Sequence, residues 1–319
     1  MAAQAPVAPF AVVAAVAAAG LRNALRDRTF AWLAAMFLAM VLISAYLGWA
    51  ATSTTNDIYA HAVAALKAEG RPAPPNPIFG DSPLAMLRNM TTYMSLLGAL
   101  VAIVLGHQLV MDDRRAGVFP LLASRPFARI WLALGKLCAL AALLLGLLTL
   151  AAAANALTMA LLPGLAPTLA DWGGLAAFYA VSALYLLMFG LAAMAAAAAF
   201  RSETMALLAP ITAWLALLFI LPQITANINP MAALNPVKAM VAPPGGAFFA
   251  IVGPLLGPVS LTSAYRDLSA AILGFAPADL AGLGKLGGLS SIVLADLTFA
   301  AAAAFALVRL DPTRSGVDE

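Results

Sequence analysis

The sequence predicts an all-α integral membrane protein with six transmembrane helices. Two observations carry this prediction. Of 319 residues, 64% are apolar and only 10% are charged, whereas a soluble domain holds about 25% charged residues. The charges are also bunched, which leaves uncharged runs long enough for the roughly 20 helical residues that cross about 30 Å of hydrocarbon.

Taken in order, the first uncharged run lies within Thr29–Asn56 and places span 1 at about 30–50. The apolar run Val7–Leu21 precedes it. No Lys or Arg comes before that run, and Arg22, Arg26 and Arg28 follow it, the reverse of a secretory signal, so it is expected to be retained. Residues 51–88 are polar and carry "RPAPPNP" at Arg71–Pro77, which predicts an outer loop. Spans 2 and 3 are expected at 89–111 and 137–162, the second of these closed by Pro163 and Pro167. Spans 4 and 5 follow at 172–200 and 204–221, joined by a tight turn at Arg201–Glu203. Residues 222–285 contain an uncharged but proline- and glycine-rich stretch, Ala239–Tyr265. Backbone groups freed by proline find no water in lipid, so this reads as an apolar outer loop with short, partly re-entrant helices. Span 6 is expected at 286–308, before a polar tail.

The placement of Lys and Arg sets the orientation. One side receives Arg22, Arg26, Arg28, Arg114, Arg115, Arg125, Arg129, Lys136, Arg201, Arg309 and Arg314, and the other receives the remaining six of 17. The richer side is expected to be cytoplasmic, with both termini there and the protein in a bacterial inner membrane. The single cysteine, Cys138, permits no internal disulfide, and two histidines are too few for a histidine-built metal site. Met86, Met90 and Met94 repeat at one helix face. Thioethers suit Cu(I), but methionine also fills irregular apolar gaps, and packing is the expected role.

Between spans 2 and 3 lies a dense charged island, "MDDRRAGVFPLLASRPFARIWLALGK", Met111–Lys136. About twenty-five mixed residues stand where a plain turn needs only a few. Asp112 and Asp113 open it, Arg114 and Arg115 follow, then come Gly117, Val118, Phe119, Leu121, Leu122, Ser124, Arg125, Pro126, Arg129 and finally Gly135-Lys136. A short amphipathic helix on the membrane surface is predicted, with Ser124 and Pro126 restarting the chain into span 3. This order of acid pair, basic pair, glycine, leucine pair, serine near proline, arginine and Gly-Lys resembles the cytoplasmic loop of ABC-2 type permeases. "LRNALRDRTFAWL", Leu21–Leu33, resembles that family's N-terminal interfacial elbow helix, and "SAYRDLSAAIL", Ser263–Leu273, its outer segment before span 6. The resemblance runs across nearly the whole chain and is nearest the subgroup containing the permease of nitrous-oxide reductase maturation.

The resemblance implies that the island is a coupling helix docking on a separate ABC ATPase subunit. Its residues would be Asp112, Asp113, Arg114, Arg115, Gly117, Val118, Phe119, Leu121, Leu122, Ser124 and Arg129. It also implies two permease chains, as a homodimer, and ATP and Mg held by the partner subunits rather than here. A phosphate-binding loop needs Ser or Thr after Gly-Lys. Gly135-Lys136-Leu137 and Gly284-Lys285-Leu286 lack it, so this chain is not expected to be an enzyme or to carry a cofactor. Nucleic acid is not an expected partner, whereas membrane lipid is, and the long outer segments leave room for a periplasmic one. Asp296, near the middle of span 6, is a transport-path candidate, because a mid-bilayer carboxylate is costly unless paired or wetted. Asn155 and Thr158, about one turn apart in span 3, are further candidates, with interhelical hydrogen bonding as the plainer role. An ATP-driven mechanical subunit acting on a periplasmic partner is the alternative to an exporter. An intramembrane enzyme centred on Asp296 lacks a second acid, a Ser/His pair or a metal set.

Overall fold

The structure is a computed structural model that describes residues 8–72, 83–118, 121, 128–162, 167–225, 247–275 and 284–310. Within these residues six helices are long and apolar enough to cross a membrane. Span 1 is Arg28–Ala68, span 2 Pro83–Arg115, span 3 Arg129–Leu161, span 4 Leu169–Ala199, span 5 Glu203–Ile220 and span 6 Gly284–Arg309.

Spans 2 and 4 form the centre. Their most apolar windows are 72% and 61% buried within the chain, against 22–39% for the other four. Glycine explains how they meet. A Cβ on Gly106 of span 2 would strike the backbone carbonyl of Gly190 in span 4, and one on Gly190 would lie 2.9 Å from Leu140 of span 3. Backbones that approach this closely exclude any side chain between them. Gly106→Ala is therefore expected to destabilise the detergent-solubilised protein by about 1–3 kcal/mol, the usual cost of overpacking. Gly146, in span 3, faces open space. Gly146→Ala should be neutral or slightly stabilising, since alanine is the better helix former. Unfolding midpoints of the two variants against the parent provide the check.

Met86, Met90 and Met94 are fully or almost fully buried and belong to this core. Span 2 opens with a tight 3-10 turn at Pro83–Leu87 and widens to a π-helix at Met94–Gly98. Span 4 starts from a capping box in which Thr168 and Asp171 exchange hydrogen bonds. Span 5 contains Pro210, a π-helical stretch at Ala216–Ile220 and a final turn, Leu221–Thr225.

The chain's first helix, Pro9–Arg26, packs on the first turns of span 3, with Val16 against Gly135 and Gly20 against Ala139. The elbow expected at Leu21–Leu33 thus starts earlier and breaks within that stretch. Its alanine-rich run favours helix. Asp27 interrupts it and caps span 1, accepting a hydrogen bond from the Thr29 amide at 2.9 Å.

Two further expectations are corrected. Residues 51–88 are not all loop, because the helix of span 1 continues to Ala68. Its 41 residues extend about 61 Å, twice the hydrocarbon thickness. No glycine or proline stands between Gly48 and Gly70, and the helix stops where Gly70 adopts φ 70°. The charged island is also shorter than predicted. Span 2 runs through Arg115 and span 3 begins at Arg129, so only residues 116–128 connect them. The short helices expected within residues 222–285 are present, at Ala247–Leu256 and Leu261–Ile272. The first of these has 10 residues, about 15 Å, too short to be a seventh span.

The second, Leu261–Ile272, is drawn into the bundle. Thr262 and Tyr265 are completely buried and hydrogen-bond Tyr185 and Ser182 of span 4. Ser182 lies about 20 Å along the helix from Leu169. A polar helix at that depth is tolerated because it is covered by protein.

Candidate functional site: the charged end of the bundle

Spans 2, 4 and 6 end, and spans 3 and 5 begin, at one end of the molecule. The residues that open the island divide there into two sets. Successive helical residues point about 100° apart, so four consecutive charges cannot share one face. Asp113 and Arg114 turn inward, and Asp112 and Arg115 turn outward.

Arg114 is 5% exposed. Its guanidinium donates to the carbonyls of Ala197 at 2.7 Å, Phe200 at 2.8 Å and Arg201 at 3.3 Å. These are orphan carbonyls at the end of span 4 and in the turn after it, where a cation also meets the negative pole of the helix. Asp113 pairs with the buried ammonium of Lys136 in span 3. Lys136 donates in addition to the Leu109 carbonyl at 2.6 Å. Arg115 ion-pairs with Glu203 at the start of span 5 and lies 3.7 Å from Asp112. Arg129 donates to the Val308 and Leu310 carbonyls at 3.4 Å, capping span 6.

Gly117 ends span 2 in the left-handed conformation, φ 62°. The Val118 amide donates to the Asp113 carbonyl at 3.1 Å and the Gly117 amide to the Arg114 carbonyl at 3.2 Å, the two bonds of a Schellman motif. Glycine meets this requirement without strain. Leu121 is 68% exposed. Phe119, Leu122 and Ser124 lie outside the described residues.

The arrangement is mechanical. Segment 116–128 is continuous with spans 2 and 3. Arg114 and Arg115, at the end of span 2, tie it to spans 4 and 5, and Arg129, at the start of span 3, ties that helix to span 6. The ends of all five helices are thus linked by charge-assisted hydrogen bonds and ion pairs. Among the described residues, no group of three or more His, Cys, Asp and Glu could hold a metal ion.

The transport-path candidates are not brought together. Thr158 donates to Ala154 of its own helix at 2.8 Å. Asn155 is buried and donates to the Tyr179 hydroxyl of span 4 at 2.7 Å, an interhelical tie. Asp296 is 7% exposed, and neither carboxylate oxygen has a partner among the described residues.

A second polar cluster lies between spans 2, 4 and 5 and the inserted helix. The Ser95 carbonyl, within the π-helix of span 2, accepts a hydrogen bond from the Trp214 indole of span 5 at 3.1 Å. The Ser95 hydroxyl accepts one from Arg266 at 3.3 Å. Tyr185 and Tyr265 stack with ring centroids 4.2 Å apart. Sequence reasoning missed this cluster. A π-helix has no simple periodic signature, and Trp214 and Ser182 stand in runs whose overall apolarity hides them. The one available signal was Arg266 beside Tyr265 in a segment otherwise poor in charge.

A family model described as ABC-2 family transporter protein matches residues 14–310. No curated protein matches the chain.

Proposed function

Because the chain belongs to the ABC-2 family of transporter proteins and is a multi-pass permease component of an ABC transporter, we propose that it couples ATP hydrolysis in separate ATPase subunits to export. In this reading the ATPases hold ATP and Mg, two identical permease chains enclose the path, and segment 116–128 with Asp112 and Arg115 is the docking surface. The charged end and both termini face the cytoplasm of a bacterial inner membrane. The observation that carries the reading is the tying together of spans 2 to 6 at the two ends of segment 116–128. A place in the subgroup containing the permease of nitrous-oxide reductase maturation, and a periplasmic partner for the long outer segments, belong to this proposal.

Two outward-facing positions test it. Arg115→Glu and Leu121→Arg, in the chain co-purified with its ATPase, should lower permease-stimulated ATP hydrolysis at least tenfold while leaving the melting temperature of the permease alone within a few degrees. Full stimulation in both variants would reject segment 116–128 as the docking site.

The projecting end of span 1 favours a second reading, in which ATP-driven motion acts on a periplasmic protein and no cargo crosses. Deleting residues 57–77 would then abolish cross-linking to that protein while leaving stimulated ATP hydrolysis in place. Under the exporter reading, the same deletion leaves efflux largely intact.

A further inference from the structure

A cavity of about 310 Å³ opens between the charged ends of spans 4 and 6. Ala199, Phe200, Phe305 and Ala306 line it with apolar surface, and Arg201 and Arg309 line it with charge. Both arginines are exposed. The Arg309 guanidinium lies over the Phe305 ring, 4.1 Å from its centre. Arg114 also reaches this cavity, but its donors are committed to the carbonyls of span 4 and the following turn. Among the described residues, Arg201 and Arg309 form no ion pair, and no acidic side chain lines the cavity.

Two arginines without counter-charges among the described residues, over an apolar slot at the end of membrane-length helices, suit an anion that carries hydrocarbon. Guanidinium forks match phosphate oxygens. Basic pockets between membrane helices are suited to anionic headgroups. We propose that this cavity binds one anionic phospholipid, its phosphate between Arg201 and Arg309 and the start of its acyl chains along Ala199, Phe305 and Ala306. The lipid would bridge the ends of spans 4 and 6, the two helices that Arg114 and Arg129 cap. Free inorganic phosphate shares the charge chemistry but leaves the apolar walls bare.

The test uses the purified full chain in detergent, stripped of lipid. Dioctanoyl phosphatidylglycerol, dioctanoyl phosphatidylcholine and inorganic phosphate are titrated separately, and bound molecules are counted by native mass spectrometry. One phosphatidylglycerol per chain is expected to bind at least about tenfold more tightly than phosphatidylcholine, since each arginine near an anionic group contributes a several-fold factor. Arg201→Gln with Arg309→Gln should erase that preference. Ala306→Phe, which keeps both charges and fills the slot, should erase it too. Arg26→Gln with Arg28→Gln, basic positions away from the cavity, should retain it. Cavity variants that bind like the parent would overturn the proposal. So would displacement of the lipid by equimolar inorganic phosphate, or binding seen only in a chain shortened to Leu310, which would assign the cavity to the acidic tail. None of these outcomes depends on the ATPase reading or on which leaflet faces this end.

Discussion

Replacing Arg114 with methionine is expected to destabilise the protein by about 3–5 kcal/mol, because three carbonyls at the end of span 4 lose their charged donor together. Each hydrogen bond to a charged group contributes roughly 1.5–3 kcal/mol, and buried carbonyls left without partners add their own desolvation cost. The contributions are not additive, which holds the sum near 3–5 kcal/mol. Arg114→Lys should recover only part of the loss. It restores the charge, but an ammonium on a flexible stem cannot reproduce the planar fork that spans Ala197, Phe200 and Arg201. Denaturant titration in mixed micelles, followed by circular dichroism, gives the comparison. A methionine variant of parental stability that had lost coupling to an ATPase would reverse this assignment and return Arg114 to the docking surface.

Lys136→Met should be comparably damaging, at about 3–5 kcal/mol. It strands the Asp113 carboxylate against the bundle without its buried partner and frees the Leu109 carbonyl. The informative variant is the double one. Asp113→Asn with Lys136→Met removes both charges and should recover most of the stability, because replacing a buried ion pair by neutral groups is often nearly neutral. A double variant as unstable as the sum of the two single ones would show that the pair is not coupled. Each side chain would then contribute through its own separate contacts.

The six spans were legible in the sequence because membrane insertion selects for long uncharged runs, and these are easily seen. Their ends were less so. Arg129 and Lys136 were placed before span 3 because they are charged, yet they belong to its helix, where Arg129 finds carbonyls and Lys136 finds Asp113. Residues 57–68 were assigned to the outer segment and not to a continuation of span 1 because they are polar, although polarity decides partition into lipid and not helix formation. The island was recognisable as a unit, but its division of labour was not. Adjacent arginines look alike in sequence, and only the rotation of the helix turns Arg114 toward span 4 and Arg115 toward Glu203. The cluster around Ser95 was out of reach, since it depends on a widened helical turn meeting an inserted helix from a segment 171 residues away.

The seam between Gly106 and Gly190 has a dynamic consequence. Two helices in backbone register cannot slide or roll past each other without a collision, so spans 2 and 4 behave as a keel. Any alternation between open and closed shapes must then come from the outer planks, spans 1, 5 and 6. Span 5 is already jointed for such bending, by Pro210 and by the loosened turn at Ala216–Ile220.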